Sequence, residues 1–290
     1  GVDAYILAKQ TTEGAEYDES VIRVADGESL AEAVAEGKTA VLTQDVEVSV
    51  IPTNPNGNTN IMLGGNTLTS TQGGAIAATA GQTITFSNGN IEANSVSNGA
   101  QSVLHAQANG TIELNQVNFE TTGTGLFASG ENATLRVIDS NVEALGFCVG
   151  TNAGEEENFY PNIEIINSTL RSTHNDGWTG SAVLFNVPGK LLIENSTIVG
   201  ECHAVFMRGG EAVIRNSILS RPYEVEGTVE SNVYMDGNWG TGNAAPLATL
   251  LIGNRGGGQY ANYSASVTLE NCTITADAAG AKTVYMLSLI

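Results

Sequence analysis

The chain has 290 residues, 41% of them hydrophobic and 14% charged, which is enough to bury a sizeable core in one large domain or two ordinary ones. Its formal net charge of −20 argues against nucleic acid or an anionic membrane surface as a partner, because both require clustered lysine and arginine side chains. No stretch approaches the roughly 18 apolar residues of a membrane span, and the three cysteines, Cys148, Cys202 and Cys272, are too few for a disulfide framework and are interpreted as small buried apolar residues.

The first predicted element is a short helix near the N-terminus. Ser29 to Glu32 has the spacing of a capping box, which predicts a helix over about residues 30–36 that Gly37 closes. Residues 1–22 have weak strand character and are interpreted as an N-terminal extension. We expect residues 23–290 to form a single domain, with the helix covering one end of the structure that begins at about residue 40.

From residue 60 onward the sequence repeats a short pattern. Eight segments can be aligned on Gly65, Asn88, Gln116, Asp139, Asn167, Asn195, Asn216 and Asn271, which are 21 to 28 residues apart except for the last, 55 residues further on. The residues four before, two before and three after these positions are apolar in every copy. A spacing of two is typical of a strand with one buried face, and copies of this length stack as a parallel β-solenoid. The pattern therefore predicts an all-β solenoid of about eight to ten coils over residues 40–290.

The aligned asparagines are predicted to form an asparagine ladder at a corner of the coil. Their position has the same parity as the two apolar positions before it, which predicts amide side chains that point inward and hydrogen-bond to one another. Asn167, Asn195 and Asn271 also match the N-glycosylation pattern, but inward-pointing amides could not accept a glycan. The aligned asparagines are therefore interpreted as structural residues and not as glycosylation sites.

Two stripes of alternating charge are predicted on the outer face of the coils. Glu113, Arg136 and Glu164 occupy one aligned position in consecutive copies, and Glu194, Arg215 and Glu270 occupy another. Opposite charges on neighbouring strands stabilise a sheet by about 0.2–1 kcal/mol per pair. The arginines are therefore interpreted as structural.

The chain resembles bacterial parallel β-helix proteins of the pectin-lyase-like superfamily. The resemblance lies in the order SLAEAVAEG, TAVLTQDVEV and NIMLGGNTLTS, and it extends over the chain from about residue 23. It implies a right-handed parallel β-helix with an N-terminal capping helix, in a protein that is secreted or displayed on the bacterial cell surface. The superfamily includes lyases, hydrolases, adhesins and phage tailspikes, so the fold does not choose an activity.

The candidate ligand site is a notch between two long loops, 171–181 and 220–231, that leave the same corner, with Glu201 and His203 predicted on its floor. The candidate ligand-binding residues there are His174, Asn175, Asp176, Trp178 and Tyr223, with Trp239 in the large insertion 236–262. Aromatic faces beside amides and carboxylates suit a sugar ring, which stacks on one face and hydrogen-bonds at its edge. The alternative is a pair of ordered surface loops with Trp178 packed down as a lid.

The leading function is non-catalytic and adhesin-like: the loops bind a glycan or a surface protein, with no cofactor. The alternative is a polysaccharide lyase or glycoside hydrolase whose carboxylates would be Asp176, Glu201 and Glu224. At residues 155–157 three glutamates could bind Ca²⁺ loosely, although a solvated acidic turn is favoured. His105 and His203 are interpreted as satisfied within the coil rather than as metal ligands.

Overall fold

The computed structural model describes residues 20–72, 76–94, 102–152, 159–173, 180–222, 248–253, 263–276 and 282–286. These residues form one α-helix and 25 strands. The strands lie in three walls, and the paired strands within each wall are parallel. Successive coils are aligned residue by residue, with Arg136 opposite Glu164, Val142 opposite Leu170 and Val183 opposite Val205.

The walls are named here by their order in the coil. The first wall consists of β1 (Val21–Val24), β2 (Thr39–Leu42), β4 (Thr59–Met62), β11 (Thr134–Ile138), β14 (Asn162–Ile166), β17 (Lys190–Glu194), β20 (Gly210–Arg215) and β23 (Ala265–Glu270). The second wall consists of β3 (Val46–Val48), β5 (Thr67–Ser70), β12 (Asn141–Ala144), β15 (Thr169–Ser172), β18 (Thr197–Gly200), β21 (Ile218–Arg221) and β24 (Thr273–Ala276). Two long strands, β7 (Thr83–Ala93) and β9 (Thr111–Thr121), run through both of these walls.

The third wall is a separate eight-stranded sheet. It consists of β6 (Ile76–Ala78), β8 (Ser102–Ala106), β10 (Thr124–Ala128), β13 (Val149–Thr151), β16 (Ser181–Phe185), β19 (His203–Met207), β22 (Ala248–Ile252) and β25 (Lys282–Met286). A chain that visits three walls in turn and always pairs with its own previous coil is a parallel β-helix. The predicted fold class is therefore confirmed.

The core occupies the space between the walls. The three apolar positions of the repeat are buried in the first seven copies, as Ile165 and Leu170 illustrate at 0% exposure. In the eighth copy they become accessible: Leu269 is 42% exposed, although its partner Ile214 on the preceding coil is fully buried. Each coil is thus covered by the next one, which is why the same residue type is buried in one copy and exposed in another.

The helix α1 (Gly27–Ala35) covers the first coils and begins three residues earlier than predicted. Its N-cap is Asp26, whose carboxylate accepts a hydrogen bond from the backbone N–H of Ser29 at 2.8 Å. The Ser29 hydroxyl in turn accepts from the backbone N–H of Asp26 at 3.3 Å, so Ser29 is the third helical residue and not the cap. Leu30 and Val34 are buried against the core. Strand β1 begins within the segment interpreted as an extension, and it pairs with β2.

The asparagine ladder is present, but its side chains point outward, which corrects the prediction. All eight aligned residues have a positive φ, from 50° at Asn195 to 83° at Gly65. Asn271 donates to Asn216 at 2.9 Å and Asn195 donates to Asn167 at 3.2 Å, and these side chains are exposed. Asparagine suits this corner chiefly because it tolerates the left-handed backbone conformation. That conformation interrupts the alternation of the strand, so the side chain at the aligned position leaves the core.

The residue after each of four consecutive ladder positions, from Asp139 to Asn216, takes the inward place. Ser140, Ser168, Ser196 and Ser217 are 2–3% exposed. The Ser168 hydroxyl donates to the carbonyl of Ile166 at 2.7 Å and accepts the backbone N–H of Ser140 at 3.1 Å. The same contacts recur at the next coil, so the corner contains a continuous buried serine ladder beside the exposed asparagine ladder.

The charged stripes are confirmed on the outer face of the first wall. The guanidinium of Arg136 lies 2.9 Å from the Glu164 carboxylate and 3.5 Å from that of Glu113. Its hydrogen bond and attraction to Glu164, with a smaller effect of Glu113, raise the pKa of Arg136. Arg215 pairs with Glu194 at 2.9 Å in the second stripe.

Candidate functional site

Most residues of the predicted notch lie outside the described part of the chain. These are His174, Asn175, Asp176, Trp178, Tyr223 and Glu224. Trp239 in the insertion 236–262 and the three glutamates at 155–157, which belong to another corner, also lie outside it. The notch and the Ca²⁺ alternative therefore remain predictions.

Two residues predicted for the floor of the notch are described. His203 is fully buried in the third wall, where its Nδ1 lies 2.9 Å from the Ser181 hydroxyl and its ring packs on Phe206 with centroids 5.0 Å apart. Glu201 is half-buried, and its backbone carbonyl accepts a hydrogen bond from the Arg221 guanidinium at 3.1 Å. Burial lowers the pKa of Arg221. His203 is thus satisfied within the coil, as predicted.

The remaining described histidine and the cysteines also have structural surroundings. His105 forms a hydrogen bond with the Ser129 hydroxyl and an edge contact with Phe127, and burial lowers the pKa of its imidazole. All three cysteines are free thiols; Cys148 and Cys202 are buried, whereas Cys272 on the eighth copy is partly exposed. Burial raises the pKa of the Cys148 thiol. Among the described residues no group of three histidine, cysteine, aspartate or glutamate side chains could hold a metal ion.

A groove that the sequence did not single out lies at the corner between the third and first walls. It has a volume of about 810 Å³ and is called the corner groove below. Its lining residues come from five consecutive coils: Asn132, Tyr160, Pro161, Asn162, Pro188, Gly189, Lys190, Gly210, Glu211, Tyr263, Ser264 and Ser266. The groove therefore runs along the axis of the rod.

Three residues in the middle of the corner groove occupy equivalent positions: Pro161 precedes β14, Gly189 precedes β17 and Gly210 begins β20. Pro161 and Gly189 stack through their carbonyls, which accept the backbone N–H groups of Lys190 and Glu211 at 2.9 Å. A Cβ atom on Gly189 would lie 2.6 Å from the Pro161 carbonyl oxygen. Gly210 has φ of 74°, and a Cβ there would lie 2.8 Å from the Gly189 oxygen. Glycine is therefore required at both positions, and it leaves backbone exposed to a ligand.

One side of the corner groove is a row of polar side chains in register. Asn162, Lys190, Glu211 and Ser266 occupy equivalent positions on β14, β17, β20 and β23. With a strand spacing of about 4.8 Å, four such positions span about 14 Å. Lys190 and Glu211 are exposed neighbours of opposite charge, and neither forms an ion pair within 4 Å with a described residue.

Two tyrosines line the corner groove, and the coils to which they belong are three coils apart. Tyr160 is 54% exposed, so more than half of its surface faces solvent. Tyr263 is 9% exposed and packs on Val187 and Phe159. An exposed aromatic face beside amides, hydroxyls and charged groups can stack on a sugar ring and hydrogen-bond to its edge. Glu211 is the single carboxylate among the described lining residues, whereas glycoside hydrolysis uses a pair.

A smaller groove of about 300 Å³ lies along the end of the second wall. Glu92, Glu120 and Glu143 line it from consecutive coils, with all three side chains exposed. Like charges placed opposite each other on neighbouring strands repel. We interpret this row as a solvated face.

Comparison with known proteins supplies no relative. No protein-family model, no curated protein and no solved structure matches the chain. In the described residues no helix is both long enough and apolar enough to cross a membrane.

Proposed function

We propose that the chain is a non-catalytic β-helix protein that binds a glycan through the corner groove. The observation that supports this proposal is the exposed ring of Tyr160 beside two partly exposed glycines and a row of polar side chains. Tyrosine supplies a large, rigid contact surface at a low cost in conformational entropy, which makes it a frequent anchor of binding sites. Placement outside the cell, secreted or on a bacterial surface, follows from the resemblance to pectin-lyase-like proteins and belongs to the proposal.

Binding is favoured over hydrolysis by the lining of the groove. The described lining residues provide one carboxylate, Glu211, and its neighbour in register is Lys190. A hydrolase needs a second carboxylate across the scissile bond, at about 5–9.5 Å. The polar row instead provides hydrogen-bonding groups, as a binding site requires.

A glycan array with four proteins tests the proposal. The wild type is expected to bind, Tyr160→Ala is expected to lose the signal, and Ile218→Ala is the matched control because Ile218 is 46% exposed on β21, away from the groove. Trp178→Ala examines the predicted notch in the same assay. Binding that survives Tyr160→Ala but disappears in Trp178→Ala would move the site to the notch. The absence of any glycan signal from the wild type would reject glycan binding.

A further inference from the structure

The geometry of the corner groove limits the shape of a ligand. Its described lining residues come from five consecutive coils and lie one coil after another along the rod. Asn162, Lys190, Glu211 and Ser266 present polar groups at intervals of one strand spacing, about 4.8 Å. A ligand that contacts all four has to be extended and has to lie parallel to the rod axis.

A tyrosine lies near each end of this row of four polar positions. Tyr160 precedes Asn162 at one end and Tyr263 precedes Ser266 at the other. Between them the surface is formed by Pro161, Pro188, Gly189 and Gly210, and no side chain fits at the two glycines. A chain of sugar rings can therefore approach the backbone along the middle of the groove, while its first ring stacks on Tyr160.

The charges limit the chemistry of the ligand. Lys190 and Glu211 cancel each other locally, and the remaining described members of the polar row are an amide and a hydroxyl. At longer range the net charge of −20 repels polyanions. Hydroxyl groups of an uncharged sugar match this lining, because each can donate and accept.

We propose that the corner groove binds a linear, uncharged polysaccharide that lies lengthwise across the four coils of β14, β17, β20 and β23. This inference rests on the proposed glycan-binding function. It adds the direction, the minimum length and the charge class of the ligand.

Calorimetric titration with oligosaccharides of graded length tests the inference. The probes are neutral β-1,4-linked oligomers of glucose, N-acetylglucosamine, mannose and xylose, from one to six units, and uronate oligomers of the same lengths. For at least one neutral series we expect the affinity to rise at least tenfold from the monomer to the oligomer that fills the groove, and then to level off. Tyr160→Ala is expected to weaken the longest neutral oligomer about tenfold, and Ile218→Ala is expected to leave it unchanged.

The outcomes separate the inference from the function on which it rests. An affinity that does not depend on length, or tighter binding of uronate oligomers than of every neutral series, would overturn the inference while glycan binding stands. Glu211→Gln, which leaves Lys190 unopposed, is expected to raise the affinity for uronate oligomers at low salt, and an unchanged affinity would contradict the role given to the charge pair. If neither the titrations nor the array shows binding of any glycan, both proposals fail.

Discussion

Two corners of the same coil differ in how strictly they repeat. At the corner between the first and second walls, eight copies share a positive φ, and four consecutive copies place a buried serine after it. At the corner between the third and first walls, the residues two positions before the aligned Thr134, Asn162 and Lys190 change from Asn132 to Tyr160 to Pro188. The first corner is required in every coil because the chain has to turn there. The second corner has a different residue in each of these coils, and it is where an exposed aromatic ring and a groove occur.

On the proposed function, the repeated corner stabilises the rod and the variable corner binds the ligand. A ladder makes each coil depend on its neighbours, so changes there should affect the whole rod. Exposed side chains of the variable corner contact few other residues, so their removal should leave folding unchanged. Three sets of substitutions would test whether the two corners differ in this way, and they follow in order of decreasing effect.

Removal of one hydroxyl from the serine ladder should have the largest effect. Ser196→Ala leaves the buried N–H of Ser168 without its acceptor, and an unsatisfied buried group costs about 1–3 kcal/mol. The free energy of unfolding, measured in urea, should fall by that amount. Ser266→Ala, at the exposed polar row, is the matched control and should leave it unchanged. Equal stabilities of the two variants would remove the distinction between the corners.

Replacement of a ladder asparagine should have a somewhat smaller effect. Asn195 has φ of 50°, and a residue that poorly tolerates this conformation costs about 1–2 kcal/mol. Asn195→Ala should therefore destabilise the protein, whereas Asn195→Gly should retain more of the stability because glycine adopts positive φ readily. Thermal unfolding of both variants measures the difference. If alanine and glycine were equivalent, the hydrogen bonds of the ladder, and not its backbone conformation, would account for the asparagines.

The charged stripe should contribute least. A double-mutant cycle with Arg136→Met and Glu164→Gln is expected to give a coupling energy of about 0.2–1 kcal/mol, as for other partly exposed pairs. The coupling should shrink at high salt, because added ions screen partly exposed charges. A coupling energy well above this range would mean that the outer face of the first wall stabilises the rod as strongly as the serine ladder does.

The sequence was sufficient for the fold because the repeat consists of apolar residues at regular spacing. The aligned positions that Ile165 and Leu170 occupy are apolar in all eight copies. The strands and their stacking follow directly from that spacing. The predicted direction of Asn167 was wrong because the alternation of a strand was extended through a residue with positive φ. The sequence contained a signal for this break, since the apolar positions lie at even offsets before the asparagine and at an odd offset after it.

The corner groove could not be predicted in the same way. Tyr160, Gly189 and Glu211 are far apart in sequence and follow no repeated phrase, so their meeting depends on the register between coils. A signal existed at Pro161 and Gly189, which occupy the same place in successive copies. The next copy has Gly210 at this place, so two consecutive coils carry glycine there.

The most direct test of the division between the corners is to measure stability and glycan affinity together in Tyr160→Ala and Asn195→Ala. Stacking on an aromatic ring contributes about 0.5–1.5 kcal/mol, so loss of Tyr160 should raise the dissociation constant by up to about tenfold. We expect Tyr160→Ala to lose affinity but to have the same denaturation midpoint as the wild type, and Asn195→Ala to be less stable but to bind normally when folded. Wild-type affinity in Tyr160→Ala, or a loss of affinity in folded Asn195→Ala, would contradict this expectation.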